Sequence, residues 1–343
     1  MGDLRLIYVL IGVIVLLAAG VLYQLIGVRR DAVRCPPPGR LIKAGAQRLH
    51  VYETGEGDPT VILEAGISAT ICNWQRVQPE IAKFSRVLSY DRAGLGWSHR
   101  ARTTRTVSQI VEELHAMLLA ADVPPPYVLV GHSFGGIVAR LYTMRYPNEV
   151  GGIVLVDPVL LEEWHPLSPE RKRMLIGGAL LSRWGGLLAR FGVVRFTLAR
   201  LARGRSKLPR AIGRATSSGK GLATMERLVG EVQKMPRELW PAIISHWSHP
   251  KSFASMGDHL AKMPESVATV IDAAPLDVPV TMLTGVRSLT KWPADGPARI
   301  STNTTHIVAE NSGHWIQLDE PLLVIEAVRE MVSRVREGAT TLR

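Results

Sequence analysis

Cysteine is scarce in this sequence of 343 residues, and several common cofactor motifs are missing from it. Two cysteines, Cys35 and Cys72, are too few for a disulfide framework or a thiolate metal site. They could form one bridge, so cysteine usage does not fix the compartment. Neither a phosphate-binding P-loop nor a dinucleotide fingerprint occurs, and the pair His246 and His249 has no evident third ligand. The sequence therefore predicts no cofactor and no metal ion.

Charge is absent from the segment Leu6–Ile26, which has 21 residues and a single polar amide. At 1.5 Å of rise per residue such a helix would cover about 30 Å, the hydrocarbon thickness of a bilayer. Residues 1–30 are therefore predicted to be a single-pass transmembrane anchor. A cleaved signal peptide, cut near Ala18–Gly20, is the alternative, although the apolar run is long for one. Arginines are more frequent after the run than before it, which favours a cytoplasmic catalytic domain and leaves the opposite orientation open.

Acidic residues are rare between residues 171 and 240, where sixteen Lys and Arg stand against three Glu, a net charge of +13. The net charge of the whole chain is +11, so the remainder carries −2. This stretch could be a solvated basic surface, and no recognition motif for nucleic acid accompanies it. Apolar side chains interleave with the basic ones, which favours contact with membrane lipid; they are Trp184, Leu187, Leu188, Phe191, Phe196 and Leu201.

The rest of the chain alternates short apolar segments with helical patterns. A proline-rich linker at residues 31–40 precedes a predicted hairpin, "LIKAG" and "RLHVYETG". Six later segments are typical of strands, and helices are predicted at Val107–Ala121, Phe134–Tyr146 and Pro321–Val335. This order predicts an α/β fold with a mostly parallel sheet flanked by helices. The alternation stops between about residues 158 and 275, so that segment is predicted to be an inserted helical cap on a core of residues 41–157 and 276–343.

The stretch "YVLVGHSFGGIVARLY" places Ser133 between a predicted strand and a predicted helix, with Gly131 and Gly135 two residues to either side. A strand, a G-x-S-x-G turn and a helix form the arrangement that presents a nucleophilic serine above a sheet. The glycines are needed because side chains there would crowd the turn. A purely structural turn is the alternative, and this context favours the nucleophile.

A serine nucleophile needs a general base and an acid that orients it. Of ten histidines, His314 alone lies just past the last predicted strand and before the last helix. The acid should lie between Ser133 and His314 in the chain. Asp157 closes the strand that follows the serine, whereas Asp295 would need a loop of about ten residues to fold back. We favour Asp157 and keep Asp295 as the alternative.

Two backbone N–H groups should stabilise the oxyanion that forms when a serine attacks a carbonyl. One is the N–H of Phe134, the residue after the nucleophile. The other is predicted in the turn after "VILEAG", where Ile67 is the candidate. Glu64 lies close to that turn, and the sequence predicts no role for it.

The segments "VILEAG", "SYDRAGLGWS", "YVLVGHSFGG", "GIVLVD" and "ENSGHWIQLDEP" together resemble the α/β-hydrolase fold family. They cover the chain from about Leu41 to Val335, apart from the cap. The resemblance implies a triad of Ser133, Asp157 and His314, with Asp91 and Arg92 bracing the loop after their strand. Many members place the acid after the strand that corresponds to "VPVTMLTG", and this sequence does not.

Within that family, haloalkane dehalogenases and epoxide hydrolases carry an aspartate where this sequence has Ser133. The resemblance thus implies chemistry on an ester, thioester or amide. We expect a membrane-anchored serine hydrolase of the esterase or lipase type, whose substrate is a small-molecule ester with an apolar acyl chain. A peptidase, a thioesterase and an acyltransferase would use the same residues, and a non-catalytic ligand sensor could use the same fold.

Overall fold

The computed structural model describes residues 2–202, 234–289 and 292–341. The chain forms two compact units. The first, called here the helical unit, combines Met1–Pro36 with Leu180–Gly257, and the second, the sheet unit, combines Pro37–Ala179 with Asp258–Arg343. Residues 203–233 of the basic stretch lie outside the described residues, as does the side chain of Leu201.

The sheet unit contains an eight-stranded sheet in the order β1-β2-β4-β3-β5-β6-β7-β8. The predicted hairpin is confirmed as the antiparallel pair β1 and β2, and β2 also pairs antiparallel with β4. All other neighbours are parallel. The predicted mostly parallel sheet flanked by helices is thereby confirmed. The strands are β1 Arg40–Ala44, β2 Gln47–Thr54, β3 Thr60–Glu64, β4 Val87–Asp91, β5 Tyr127–His132, β6 Val150–Val156, β7 Val280–Gly285 and β8 Thr304–Ala309.

The helices, numbered over the described residues, begin close to the predicted positions. The helix at Val107 ends one residue earlier than predicted, and the last helix continues six residues beyond Val335. The helices are α1 Gly2–Arg34, α2 Gln78–Ile81, α3 Val107–Ala120, α4 Phe134–Arg145, α5 Pro169–Arg190, α6 Val193–Ala202, α7 Trp240–Trp247, α8 Pro250–Ala261, α9 Met263–Ala268, α10 Val286–Leu289, α11 Ile316–Asp319 and α12 Pro321–Thr341.

Two buried apolar clusters cover the two faces of the sheet. Side chains alternate along β3, so Ile62 packs into one cluster while Val61 and Leu63 pack into the other. Helices α3 and α4 cover the first face, and α12 covers the second. Each fully buried side chain of this size contributes about 1.5–3 kcal/mol. This burial on both faces fixes the positions of the strand ends where the polar residues lie.

Parts of the predicted cap segment belong to the sheet unit. Leu175, Met263 and Val267 are buried in the first apolar cluster of the sheet, so burial joins the two ends of the 158–275 segment to the core. Of the predicted cap segment, the helical unit accordingly contains only Leu180–Gly257. Cys35 and Cys72 are not joined by a disulfide, so the bridge considered from the sequence does not form in this structure.

Helix α1 continues four residues into the predicted linker, to Arg34. It is long and apolar enough to cross a bilayer, a property that signal sequences and some core helices share. Within the helical unit α1 packs against α6 and α7. Its first half is exposed, with large apolar side chains on all sides from Leu4 to Leu17.

Candidate active site

Ser133 occupies the sharp turn between β5 and α4. Its backbone has φ 53° and ψ −116°, a conformation that non-glycine residues seldom adopt. The turn is held because the Ser133 N–H donates to the carbonyl of Val156 at 3.0 Å. A Cβ at Gly131 would lie 2.6 Å from the Gly135 carbonyl oxygen, and one at Gly135 would lie 2.4 Å from the backbone carbonyl oxygen of Glu64. The strand, turn and helix therefore present a serine that keeps 8% of its surface exposed.

His314 contacts Asp157 across the ends of three neighbouring strands. The distance between His314 Nδ1 and Asp157 Oδ2 is 2.6 Å. An ionised carboxylate can only accept, so Nδ1 carries the proton and the other ring nitrogen, Nε2, is left with its lone pair. The Asp157 side chain is 3% exposed and that of His314 is 28% exposed, so the acid is buried while the imidazole reaches solvent. This arrangement suits a general base oriented by a buried acid.

The Asp157 carboxylate has three hydrogen-bond partners, and two of them were not predicted from the sequence. Its Oδ1 accepts from the Gly285 N–H at 3.0 Å, and its Oδ2 accepts from Ser288 Oγ at 2.9 Å. Both donors come from the end of β7 and the short helix α10, where the sequence has no carboxylate before Asp295. The segment after β7 thus supplies hydrogen bonds to the acid that follows β6.

The backbone at the end of β6 accounts for the reach of Asp157. Its N–H continues the ladder to β7 by donating to the Leu283 carbonyl at 2.8 Å. The residue then turns with φ 44°, in the left-handed region that aspartate tolerates better than most residues. Because β6 is bonded to β7 and β7 to β8, this turn brings the carboxylate to the loop that carries His314.

Asp295, the alternative acid, is engaged elsewhere. Its Oδ2 lies 2.8 Å from Nη2 of Arg299, four residues along the chain, and its side chain is exposed. The same guanidinium approaches Glu162 at 3.3 Å. The structure brings Asp157 to the imidazole of His314 and leaves Asp295 in a surface ion pair.

His132, the residue before the serine, contacts the loop that carries His314. Its Nε2 donates to the His314 carbonyl at 2.8 Å, and the two ring centroids are 4.8 Å apart. The ring also packs at 5.2 Å against Trp315. Burial, with a further contribution from His314, lowers the pKa of His132 to about 3, so this ring is neutral at ordinary pH. His132 therefore links the serine turn to the histidine loop as a neutral donor.

This buried neutral histidine should make the fold sensitive to acid. An unfolded histidine titrates near pH 6.5, so between about pH 6.5 and 3 the unfolded chain binds more protons at this site than the folded chain does. The free energy of unfolding should therefore fall as the pH is lowered through this window, by about 2 kcal/mol between pH 7 and 5 for one group. We expect His132→Gln, which keeps an N–H donor and does not titrate, to remove this contribution in denaturant unfolding at the two pH values. His99→Asn, at an exposed side chain, should keep the wild-type pH dependence, and an unchanged dependence in His132→Gln would contradict the assignment.

The loop after β3 lies against the serine. A Cβ on Gly66 would come within 3.6 Å of the Ser133 Cβ, so the Gly66–Ile67 peptide unit runs past the nucleophile. Phe134 begins α4, and its N–H is one of those that a helix cannot satisfy internally. The N-terminal end of α4 also favours negative charge. Phe134 follows Ser133 directly in the chain, and the loop that carries Ile67 passes beside Ser133, so the two N–H groups stay predictions as oxyanion donors.

Arg92 binds the loop after β3 through its guanidinium. Its guanidinium donates to the carbonyl of Gly66 at 3.0 Å, to the carbonyl of Ala65 and to the carboxylate of Glu64, and it lies 5.0 Å from the ring centroid of Phe134. The Gly66 carbonyl and the Ile67 N–H belong to one rigid peptide unit. A cation bonded to that carbonyl fixes the plane of the unit and polarises its N–H.

Glu64, which had no role in the sequence analysis, is the buried partner of Arg92. Tyr90 also donates its hydroxyl to this carboxylate. Burial raises the pKa of Glu64, and the charge of Arg92 acts in the opposite direction. Burial also raises the pKa of Tyr90 well above its ordinary value, which keeps the phenol a donor. The motif "LEAG" therefore supplies both the start of the predicted oxyanion loop and the carboxylate that pairs with Arg92.

Asp91 braces the loop after its own strand, as the family resemblance implied, whereas Arg92, expected to do the same, bonds the loop after β3 instead. The carboxylate accepts from the Ile71 N–H at 3.0 Å, from the Trp97 N–H at 3.0 Å and from His50 Nδ1 at 2.9 Å. All of these contacts are buried or partly buried, so Asp91 is a structural residue. Within the described part of the chain, no cluster of three His, Cys, Asp or Glu is placed to hold a metal ion.

Comparison with known proteins identifies the same architecture. A family model described as alpha/beta hydrolase fold matches residues 59–196. The YqjL protein of Bacillus subtilis is 36% identical over 135 residues, which are 37% of this chain and 53% of that protein. A 2-hydroxy-6-oxo-2,4-heptadienoate hydrolase of Pseudomonas putida is 31% identical over 125 residues, or 35% of this chain and 45% of the relative. The chain thus matches about half the length of these curated relatives.

A solved structure gives the comparison over most of the chain. The epoxide hydrolase CorEH aligns with a TM-score of 0.62 and 17% sequence identity, covering 86% of this chain and 98% of the other. At that identity the likeness concerns the fold alone. The sheet order, the serine turn, the matched family model and this structural likeness agree that the chain has the α/β-hydrolase fold.

Proposed function

We propose that this protein is a serine hydrolase that cleaves carboxylic esters through Ser133, His314 and Asp157. The observation that carries the proposal is the pairing of His314 Nδ1 with buried Asp157 at 2.6 Å. His132, the residue before Ser133, bonds the backbone of the same His314 and so ties this pair to the serine turn. An imidazole held in this tautomer can accept a proton at Nε2, and the serine turn supplies the hydroxyl that gives up this proton.

The proposed reaction proceeds through an acyl-enzyme. Ser133 Oγ bonds to the carbonyl carbon of the ester while His314 Nε2 takes the hydroxyl proton. The N–H groups of Ile67 and Phe134 bind the resulting oxyanion. As the oxyanion collapses, the bond to the leaving alcohol breaks and His314 returns the proton to that oxygen. Water, deprotonated by His314, then attacks the acyl carbon, and the carboxylic acid leaves as Ser133 regains its proton.

A serine nucleophile separates this proposal from the chemistry of the epoxide hydrolase that shares the fold. In the family that this sequence resembles, epoxide hydrolases carry an aspartate at this turn. Ser133 instead suits attack on an acyl carbon. A peptidase, a thioesterase or an acyltransferase would use the same groups, and each differs in the leaving group or the acceptor that the pocket admits.

Helix α1 is proposed to be a retained single-pass membrane anchor. Its charge-free segment is long enough to span a bilayer, and it is longer than the apolar core of a usual signal peptide. The excess of arginine after the segment favours a cytoplasmic sheet unit. The membrane-facing partner is lipid, and the substrate class that fits an enzyme held there is an ester with an apolar acyl chain.

The proposal is tested on the full-length protein in detergent with p-nitrophenyl esters from acetyl to palmitoyl, together with matched thioesters and amides. We expect turnover of the esters, with a maximum at one chain length. A fluorophosphonate should stop the reaction and leave its phosphonyl group on the peptide that contains Ser133. If amides or thioesters alone are turned over, the ester assignment is wrong. If no substrate reacts and the fluorophosphonate leaves the peptide unmodified, the sensor hypothesis replaces the enzyme.

Arg92 is expected to act on this reaction as a positioning residue. Arg92→Lys keeps the charge beside Glu64 but loses the fork that reaches the Ala65 and Gly66 carbonyls together. Since the oxyanion exists only in and near the transition state, kcat should fall about 10- to 100-fold while KM changes little. Arg105→Lys is the matched control, because Arg105 forms a comparable buried pair with Glu113. A rise in KM at unchanged kcat, or an equal loss in the control, would contradict this role.

A further inference from the structure

Helix α1 joins the helical unit along one narrow stripe, formed by Gly20, Gln24, Gly27, Val28 and Asp31. Close approach explains the glycines. A Cβ on Gly20 would lie 2.5 Å from the Phe191 carbonyl oxygen, and one on Gly27 would lie 2.5 Å from Nε of Arg195. Small residues spaced along a helix let a second backbone approach closely, as between helices inside membranes.

A buried polar cluster fastens the same stripe. Arg195 on α6 donates from Nε to the Gln24 side-chain oxygen at 2.9 Å and from Nη1 to Asp31 at 2.5 Å. The Gln24 amide in turn donates to the Ser248 carbonyl at 2.9 Å. Gln24 is the single polar amide of the charge-free segment, and it is buried. A buried guanidinium with an anion and an amide as partners is tolerated away from water.

The other faces of α1 at this level are apolar and exposed. Five consecutive or near-consecutive side chains are 36–58% exposed, namely Val21, Leu22, Tyr23, Leu25 and Ile26. They belong to the segment Leu6–Ile26 that is proposed to span the bilayer. If that segment spans, lipid must reach Ile26, and whatever packs against Gly20–Ile26 lies at the same depth. Seven residues correspond to about 10 Å of the helix axis.

What packs there is the turn after α5 and the start of α6: Phe191 lies against Gly20, Gly192 lies against Tyr23, and Arg195 bonds Gln24. Residues 180–202, which contain this turn, are called here the α5–α6 segment. Its exposed side chains are mostly large and apolar: Leu180, Leu181, Trp184, Leu187, Leu188, Val193 and Phe196. It contains four arginines and no acidic residue. Arg195 is buried in the cluster, whereas Arg183, Arg190 and Arg200 are exposed. Apolar and aromatic side chains among exposed cations are typical of helices that lie in a membrane interface.

We propose that the α5–α6 segment enters one leaflet of an anionic phospholipid bilayer beside α1. The depth follows from its packing against Gly20–Ile26, the apolar side chains supply the buried area, and the three exposed arginines meet lipid phosphates at the surface. The inference rests on the proposed anchoring by α1 and is independent of the proposed ester chemistry. It makes the helical unit a membrane-embedded structure instead of a soluble domain on a tether.

Single-cysteine labelling of the full chain in vesicles tests this. In a Cys35→Ser background, where Cys72 is buried, an environment-sensitive fluorophore is placed at Leu16→Cys, Leu188→Cys, Phe196→Cys or Glu238→Cys. The vesicles contain equal parts of phosphatidylcholine and phosphatidylglycerol, with a quencher on the acyl chain near the headgroup or with aqueous iodide. Hydrolysis of a soluble p-nitrophenyl ester by each labelled variant, or its circular dichroism spectrum, checks that it is folded.

We expect the labels at positions 188 and 196 to shift to the blue, to be quenched by the lipid-borne group and to be protected from iodide. The label at position 16 should be protected in the same way, and the one at 238, an exposed acidic position of the helical unit, should be quenched by iodide. Iodide quenching at 188 and 196 with protection at 16 would overturn the inference and leave the anchor intact. Iodide quenching at 16 would overturn the anchor itself.

Two further outcomes decide the partner. Protection that is lost in vesicles of phosphatidylcholine alone supports recognition of anionic lipid, and equal protection in both vesicles would overturn that part. Protection that grows with the protein-to-lipid ratio, together with crosslinks between copies through position 196, would assign the surface to a second copy of this chain and overturn the lipid assignment.

Discussion

Alanine in place of Ser133 is expected to lower kcat/KM for the best ester by about 10⁴- to 10⁶-fold. The variant lacks the oxygen that is proposed to form the acyl-enzyme, while the predicted oxyanion donors are untouched. Alanine shares the backbone preferences of serine at φ 53°, and Ser133 Oγ is not what holds the turn, because the Ser133 N–H bonds Val156. The free energy of unfolding should therefore stay close to that of the wild type, which separates loss of chemistry from loss of structure.

The comparison with His314→Ala makes this prediction more demanding. Residues that act as one unit lose activity non-additively, so the double variant Ser133→Ala/His314→Ala should be about as impaired as either single variant. Additive losses would mean that the two side chains act separately. Ser108→Ala, on the partly buried face of α3, serves as the serine control and should retain full turnover. Residual activity of Ser133→Ala within tenfold of the wild type would place the nucleophile elsewhere.

The strand ends could be predicted from sequence because they depend on local patterns. A run such as "YVLVGHS" combines strand formers with a turn that glycine alone permits, and β5 and α4 begin and end within a residue of the prediction. The end of the last helix was harder to predict, since the sequence after Val335 lacks the apolar spacing that predicted the first part of the helix.

The contacts that complete the site could not be predicted from sequence. Ser288 and the Gly285 N–H reach Asp157 because β7 lies between the strands that carry the acid and the base, which is a property of the sheet order. No role could be predicted for Glu64 for a related reason, since its partners Tyr90 and Arg92 come from β4 and the loop after it. Serines and backbone amides carry no pattern of their own, so a weak signal was available only in the lack of a carboxylate after β7.

The junction of α1 with the helical unit illustrates the same limit on a larger scale. The sequence predicted a spanning helix and a basic, aromatic stretch, but nothing local joined them. In the sequence, Gln24 is a single polar residue in an apolar segment. Its packing role depends on a hydrogen bond with Arg195, 171 residues away. A polar residue inside a predicted span is therefore a reason to look for a packing partner.

The choice between two acids yields the second large prediction. Asp157→Asn is expected to lower kcat/KM by about 10³- to 10⁴-fold with the fold retained. The amide keeps an oxygen for the Gly285 N–H, but its NH₂ now faces His314 and Ser288. An imidazole that accepts at Nδ1 must carry its proton on Nε2, and in that tautomer it cannot take the proton of Ser133. The defect should thus lie in kcat for acylation, and the stoichiometry of substrate binding should be unchanged.

Asp295→Asn is the matched control, with the same substitution at the acid that the sequence left open. Its carboxylate pairs with Arg299 at the surface, and exposed pairs of this kind contribute about 0–1 kcal/mol. We expect this variant to keep both its turnover and its stability. The measurement is kcat and KM on one p-nitrophenyl ester for the wild type and the two variants, with a pH profile of kcat for each. A large loss in Asp295→Asn with a small one in Asp157→Asn would reverse the assignment, and it would require the loop after β7 to reach His314 during turnover.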